Sequence, residues 1–174
     1  MRSLALITFL LFISTALYSQ ELKSLKLSHK DSIELSKVWL RYKHALESKD
    51  IHSLHQLSYK IIHCDRFEPE NSSFTKDPNL PLDTFLNRFY HVFPDLKLWR
   101  VIKTKKYHMT IDKASNWALP NIKFQRKKSL MVYNIWYLVF EPNEISKGDE
   151  GLSEAFQFMK INGKFKLYGL TSIP

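Results

Sequence analysis

The dipeptide Asn162-Gly163 lies between two runs rich in aromatic and aliphatic residues, Glu154 to Ile161 and Lys164 to Thr171. Asn and Gly both tolerate positive φ, so the pair predicts a two-residue type I′ turn joining antiparallel strands. Such a turn sets the register. Ile161 faces Lys164, Lys160 faces Phe165, Phe158 faces Leu167 and Phe156 faces Gly169. Paired residues share a face, which collects Phe156, Phe158, Phe165 and Leu167 as a core surface. The other side carries Gln157, Met159, Lys164, Lys166 and Tyr168. That mixture suits a sheet that is partly covered or lines a cavity.

The run Leu130 to Phe140 holds no Gly or Pro, is dense in β-branched and aromatic residues, and is apolar on both faces. It reads as a central strand. Asn134, on the face of Val132, Trp136 and Leu138, then needs a hydrogen-bond partner, and a structural role is preferred over ligand contact.

Arg2 followed by an apolar run from Leu4 to Tyr18 and the small-residue end Ala16 to Gln20 has the form of a secretory signal peptide. The run is short for a membrane span, which takes roughly 20 residues. Cleavage is expected after Ser19. Residues 1–19 are therefore read as signal peptide and residues 20–174 as a single domain without a membrane span, exported to the periplasm or beyond. Removing residues 1–19 takes away Arg2 and no acid, which lowers the net charge from +9 to +8. A basic exported protein can favour an anionic surface, although dispersed charge mostly serves solubility. Cys64 is the only cysteine, so no intramolecular disulfide forms and a buried, inert thiol is expected. His63 is a poor base for it, because neighbours in a strand point to opposite faces.

Upstream, Asp31-Ser32-Ile33-Glu34 resembles a capping box, and Leu35, Val38, Trp39, Tyr42, Ala45 and Leu46 follow at helical spacing. Asp50 caps a shorter helix from Ile51 to about Ser58, with Ile51, Leu54 and Leu57 inward. Tyr59 to Cys64 is read as a strand and Arg66 to Pro81 as a loop, within which Asn71-Ser72-Ser73 is a glycosylation sequon. Pro81 introduces a third helix, with Leu82, Phe85, Leu86, Phe89 and Phe93 at helical spacing before Pro94. Leu96 to Ile102, Tyr107 to Ile111 and Ile122 to Gln125 are read as short strands.

Three helices followed by a mostly antiparallel sheet make an α+β fold, with N-terminal helices packed on a curved sheet. The amphipathic first helix ending at Ala45 to Asp50, the short second helix with Leu54, and the closing hairpin Phe156 to Leu167 resemble the nuclear transport factor two-like (cystatin-like) cone. The chain is also similar to small exported Bacteroidetes-type proteins whose mature forms begin at Gln, as Gln20 would here. The resemblance implies a cone pocket, lined from the helices and by Tyr133, Trp136 or Tyr137, that takes a small apolar ligand. Enzymes of that class use an Asp and a His for proton transfer, and His108 and Asp112 stand on one face of their strand. An exposed edge-strand pair is the preferred reading of those two.

All four glycines lie after residue 147, which excludes a P-loop and a dinucleotide-binding fingerprint. No Gly-x-Ser-x-Gly, His-Glu-x-x-His or paired cysteines are present, so no cofactor or metal is expected. His52 and His55, three apart, could share a metal with His63 or Asp65, but the inward apolar face of their helix favours solvent-facing histidines. Lys103, Lys105 and Lys106 with Arg126, Lys127 and Lys128 could form a basic patch among Tyr107, Trp117 and Phe124. Export argues against a nucleic-acid partner. Glu141, Glu144, Asp149, Glu150 and Glu154 read as a solvated acidic loop without calcium-loop spacing. Two functions stay open: a non-catalytic binding or interaction module, which is preferred, and a cone-fold enzyme performing proton transfer or hydrolysis on a small apolar substrate. An uncovered sheet face would favour a homodimer.

Overall fold

The computed structural model describes residues 25–64, 78–92, 97–114 and 130–173. The signal-peptide reading, the sequon, Asp65, Phe93, Pro94, Trp117, the strand Ile122 to Gln125 and the basic run Arg126 to Lys128 lie outside the described residues. Within them the chain is α+β. In order it forms α1 (His29–Ser48), α2 (Ile51–Leu57), β1 (Ser58–Cys64), β2 (Asn79–Pro81), α3 (Leu82–Val92), α4 (Lys97–Thr104), β3 (His108–Lys113), β4 (Met131–Phe140), β5 (Leu152–Ile161) and β6 (Lys164–Ile173). No described helix is long and apolar enough to cross a membrane.

The six strands form one open sheet in the order β2-β1-β6-β5-β4-β3. Every pairing is antiparallel except β1 with β6. β4, expected to be central, is an interior strand between β5 and β3, one place from the edge, and its two apolar faces are still largely buried. Asn162 and Gly163 have φ of 50° and 76°, the two positive values of a type I′ turn. The expected register holds from Ile161↔Lys164 to Phe158↔Leu167. Beyond that point it fails. Gln157 faces Gly169 and Phe156 faces Leu170, so Tyr168 is an extra residue in β6. This bulge changes which residues reach the core: Leu170 joins Phe165 and Leu167 on the helix side, while Tyr168 packs with Val132 and Met159 on the other. Those three are buried.

The helices cover the other face because their apolar stripes point there. Leu35, Trp39, Tyr42, Ala45 and Leu46 of α1 are buried. Trp39 is the centre, with its ring 4.6 Å from Phe156 and 6.2 Å from Tyr42. Leu82, Phe85, Leu86 and Phe89 of α3 extend this core, and Phe85 and Phe89 stack at 4.9 Å. Burying side chains of this size contributes about 1.5–3 kcal/mol each before conformational entropy is charged against it.

Several local expectations are corrected. α1 starts earlier than the Asp31 capping box implies: Ser28 is the N-cap and accepts from the Asp31 amide at 3.0 Å. Asp50 does cap α2, accepting from the Ser53 amide at 3.0 Å, but Ile51 is exposed and only Leu54 and Leu57 turn inward. The end of the predicted loop, Asn79–Pro81, is a strand paired with β1. The segment read as a strand from Leu96 is the helix α4. Its buried residues Leu98, Val101 and Ile102 are spaced three and four apart, a helical period that outweighs their β-rich composition.

A basic groove beside the closing hairpin

The concave side of the sheet is filled. Trp39, Tyr42, Tyr137, Phe156 and Phe158 are almost completely buried there, and the Trp39 Nε1–H donates to the Tyr137 hydroxyl at 3.0 Å. Burial pushes the Tyr137 hydroxyl up to about 12, so it stays protonated. The three aromatic residues expected to line a pocket do not converge. Tyr133 and Tyr137 share the helix side, whereas Trp136 lies on the opposite face and donates from Nε1 to Thr110 Oγ1 at 3.0 Å. Tyr133 meets Phe165 edge-on at 4.8 Å.

An open concavity lies elsewhere, beside the hairpin. It is a groove of about 540 Å³ between α1, the end of α2 and the beginning of β6. Glu34, Lys37, Val38 and Arg41 form its first wall because residues three, four and seven apart occupy one helix stripe. Gly163, Lys164, Phe165 and Lys166 form the second wall, and Gln56 with Leu57 closes one end. The space exists because β1 pairs with β6 only from Ser58↔Leu167 onward, leaving Lys164 to Lys166 ahead of the first β1 partner. Lys166 uses that opening to donate from Nζ to the Gln56 carbonyl. There it meets the negative end of α2.

The groove is electrostatically one-sided. Lys37, Arg41, Lys164 and Lys166 line it with a single acid, Glu34. That acid is already engaged. Lys160 Nζ lies 3.3 Å from Glu34 Oε2 and 2.5 Å from Asp31 Oδ1, and it sits 4.7 Å above the Phe165 ring. Tyr133 donates its hydroxyl to Asp31 Oδ2 at 3.3 Å. The Lys160 hydrogen bond holds the Asp31 carboxyl below its ordinary value, and the Asp31 bond raises Lys160 in return. Among the described residues, none of Lys37, Arg41, Lys164 and Lys166 has an ion-pair partner. Burial lowers the Lys166 ammonium, and repulsion from Lys164 and Arg41 lowers it further. The cations therefore feel one another.

Other candidate groups have structural partners. Asn134, 2 % exposed, donates to Asp112 Oδ2 at 2.6 Å and Thr110 Oγ1 at 3.1 Å, and accepts from Gln157 at 3.2 Å. Asp112 is tied into that network, and the His108 ring stacks on Trp136 at 6.4 Å. Cys64 lies in the core while His63 faces Asn79 Oδ1 at 3.1 Å, and burial pushes the thiol up to about 12. His52 and His55 are exposed, with His55 Nε2 3.0 Å from Asp83. Among the described residues no group of three His, Cys, Asp or Glu could hold a metal ion. In the acidic stretch, Glu141 pairs with Lys105 at 2.7 Å and Glu144 with Lys97.

Glu154 departs from that solvated loop. It stands in β5 opposite Tyr137 and Ser172, on the helix side of the sheet. Its Oε2 is buried without a hydrogen-bond partner, and burial raises the carboxyl to about 7. Sequence reasoning missed both Glu154 and the groove. The parity of β5, with Glu154 two residues before Phe156, carried the signal for the first. The basic pair Lys37 and Arg41, one turn apart beside an apolar stripe, carried the signal for the second. No protein-family model matches the chain, and no curated protein matches it.

Proposed function

We propose that the protein is a non-catalytic binding module of the nuclear transport factor two-like, cystatin-like kind, exported after removal of residues 1–19, whose ligand enters the groove between α1 and the hairpin. The observation that carries this reading is the contrast between a filled interior and an open outer groove. Aromatic side chains occupy the space where an enzyme of that fold would hold its substrate. The groove combines an apolar floor with converging polar groups, and its volume falls within the 300–1,000 Å³ typical of ligand sites. Backbone NMR of the protein against a fragment library tests it. Shifts confined to Gly163 to Lys166 and to α1 residues 34–41 are expected. Shifts confined to interior residues around Tyr137 would overturn it.

Glu154 supports a second reading, an enzyme that moves a proton on a small apolar molecule. A carboxyl near neutrality beside a buried tyrosine has the pKa such chemistry needs. On that reading Glu154→Gln abolishes turnover of an apolar substrate while leaving the groove's ligand shifts unchanged.

A further inference from the structure

We infer that the groove binds a ligand bearing at least two phosphate groups; this rests on the groove being the binding site. The first argument is charge. Lys37 and Arg41 approach from α1, Lys164 and Lys166 from β6, and none has an ion-pair partner among the described residues. The single acid on the walls, Glu34, is occupied by Lys160. A terminal phosphate carries about −1.5 to −2 at neutral pH, so two of them balance four cations, whereas one carboxylate balances only a quarter of that charge.

The second argument is shape. The cations stand on two walls of a groove of about 540 Å³, a space larger than one phosphate fills. Arg41 offers a planar fork suited to two phosphate oxygens, and the lysines act as mobile point charges around it. Val38 is only partly buried and leaves some apolar surface for the part of the ligand between or beside the phosphates.

Besides the Glu34 carboxylate, the carbonyl end of α2 opposes an anion. Lys166 is interposed there, donating to the Gln56 carbonyl and masking it. Burial lowers the Lys166 ammonium, repulsion from Lys164 and Arg41 adds to this, and an anion between the three would offset that repulsion.

The test is calorimetric titration of the full chain with inorganic pyrophosphate, with inorganic phosphate as the single-group control. Pyrophosphate should bind at least about tenfold more tightly than phosphate and weaken as salt rises. Arg41→Glu and Lys164→Glu, both at exposed positions, should each lower pyrophosphate affinity about tenfold or more. Lys113→Glu, an exposed reversal on β3, should leave it within about twofold. An equal loss with Lys113→Glu overturns the inference, since it would mark general attraction by net charge. If pyrophosphate fails to bind while a neutral aromatic fragment shifts the Gly163 to Lys166 amides, the phosphate assignment falls and the binding groove stands. If neither shifts them, both fall. Vesicles containing cardiolipin, whose headgroup carries two phosphates, that compete with pyrophosphate and lose binding with Arg41→Glu identify a lipid headgroup as the phosphate source. Pyrophosphate binding without vesicle binding identifies a soluble one.

Discussion

Trp39 of α1 and Tyr137 of β4, 98 positions apart in the chain, meet in the interior through a 3.0 Å hydrogen bond from the indole N–H to the phenol oxygen. Both side chains are essentially inaccessible to water. The bond fastens the first helix across β4 and fills the space between them. A polar contact here satisfies the one donor that the large aromatic residue brings into an apolar core.

Removing the acceptor leaves that donor buried and unpaired. Tyr137→Phe should therefore lower stability by about 1–3 kcal/mol, more than the net value of an ordinary hydrogen bond. Urea unfolding followed by Trp fluorescence measures it. A loss below a few tenths of a kcal/mol would mean that the indole finds another acceptor.

Gly169 sits where the bulge in β6 meets β1. A Cβ there would lie 2.6 Å from the His63 carbonyl oxygen and 3.0 Å from Gln157 Oε1. The first contact is with backbone, which cannot turn aside. Gly169→Ala is expected to cost about 1–3 kcal/mol and to loosen the parallel β1–β6 pairing first. Amide exchange should accelerate in β1 and β2 before it does in β4. Uniform acceleration over the whole sheet would argue that the pairing tolerates the methyl group.

This bulge also marks where sequence reasoning reaches its limit. The hairpin was legible because two adjacent residues demand positive φ and the pairing rule then propagates from the turn. Propagation stops at Tyr168, since an inserted residue depends on what packs against each face, and those neighbours come from β1 and β4. The helix α4 was misread for the opposite reason. Its composition is β-rich, yet Leu98, Val101 and Ile102 follow a helical period that periodicity alone would have caught. The groove was the least legible feature. Its walls come from α1, α2 and β6, so Lys37 and Lys166 become neighbours only once the sheet order is known.

The turn itself gives a cleaner test of backbone conformation. Nothing lies within 4 Å of a Cβ built on Gly163, so Gly163→Ala would be penalised by its φ of 76° and not by crowding. The cost should be about 1 kcal/mol, and changing Asn162 to Ala as well should add a smaller increment. Thermal unfolding of the single and double variants checks both values. Unchanged midpoints would mean that the turn relaxes to another type.

Glu154 predicts a pH dependence with a definite sign. Its carboxyl is raised by burial from 4.5 to about 7 in the folded protein, whereas the unfolded chain keeps the lower value. Between these two pH values the folded state holds a proton that the unfolded state has lost. The associated stability is fully present below about pH 4.5 and disappears as the pH rises through 7. The amount lost is on the order of 3 kcal/mol for a mostly buried group. Glu154→Gln keeps the shape and cannot ionise, so it should be the more stable protein above pH 7 and should flatten the unfolding free energy between pH 5 and 8. Urea titrations at intervals across that range decide the matter. Parallel curves for the two proteins would show that the Glu154 carboxyl is solvated, and would remove with it the proton-transfer reading of this site.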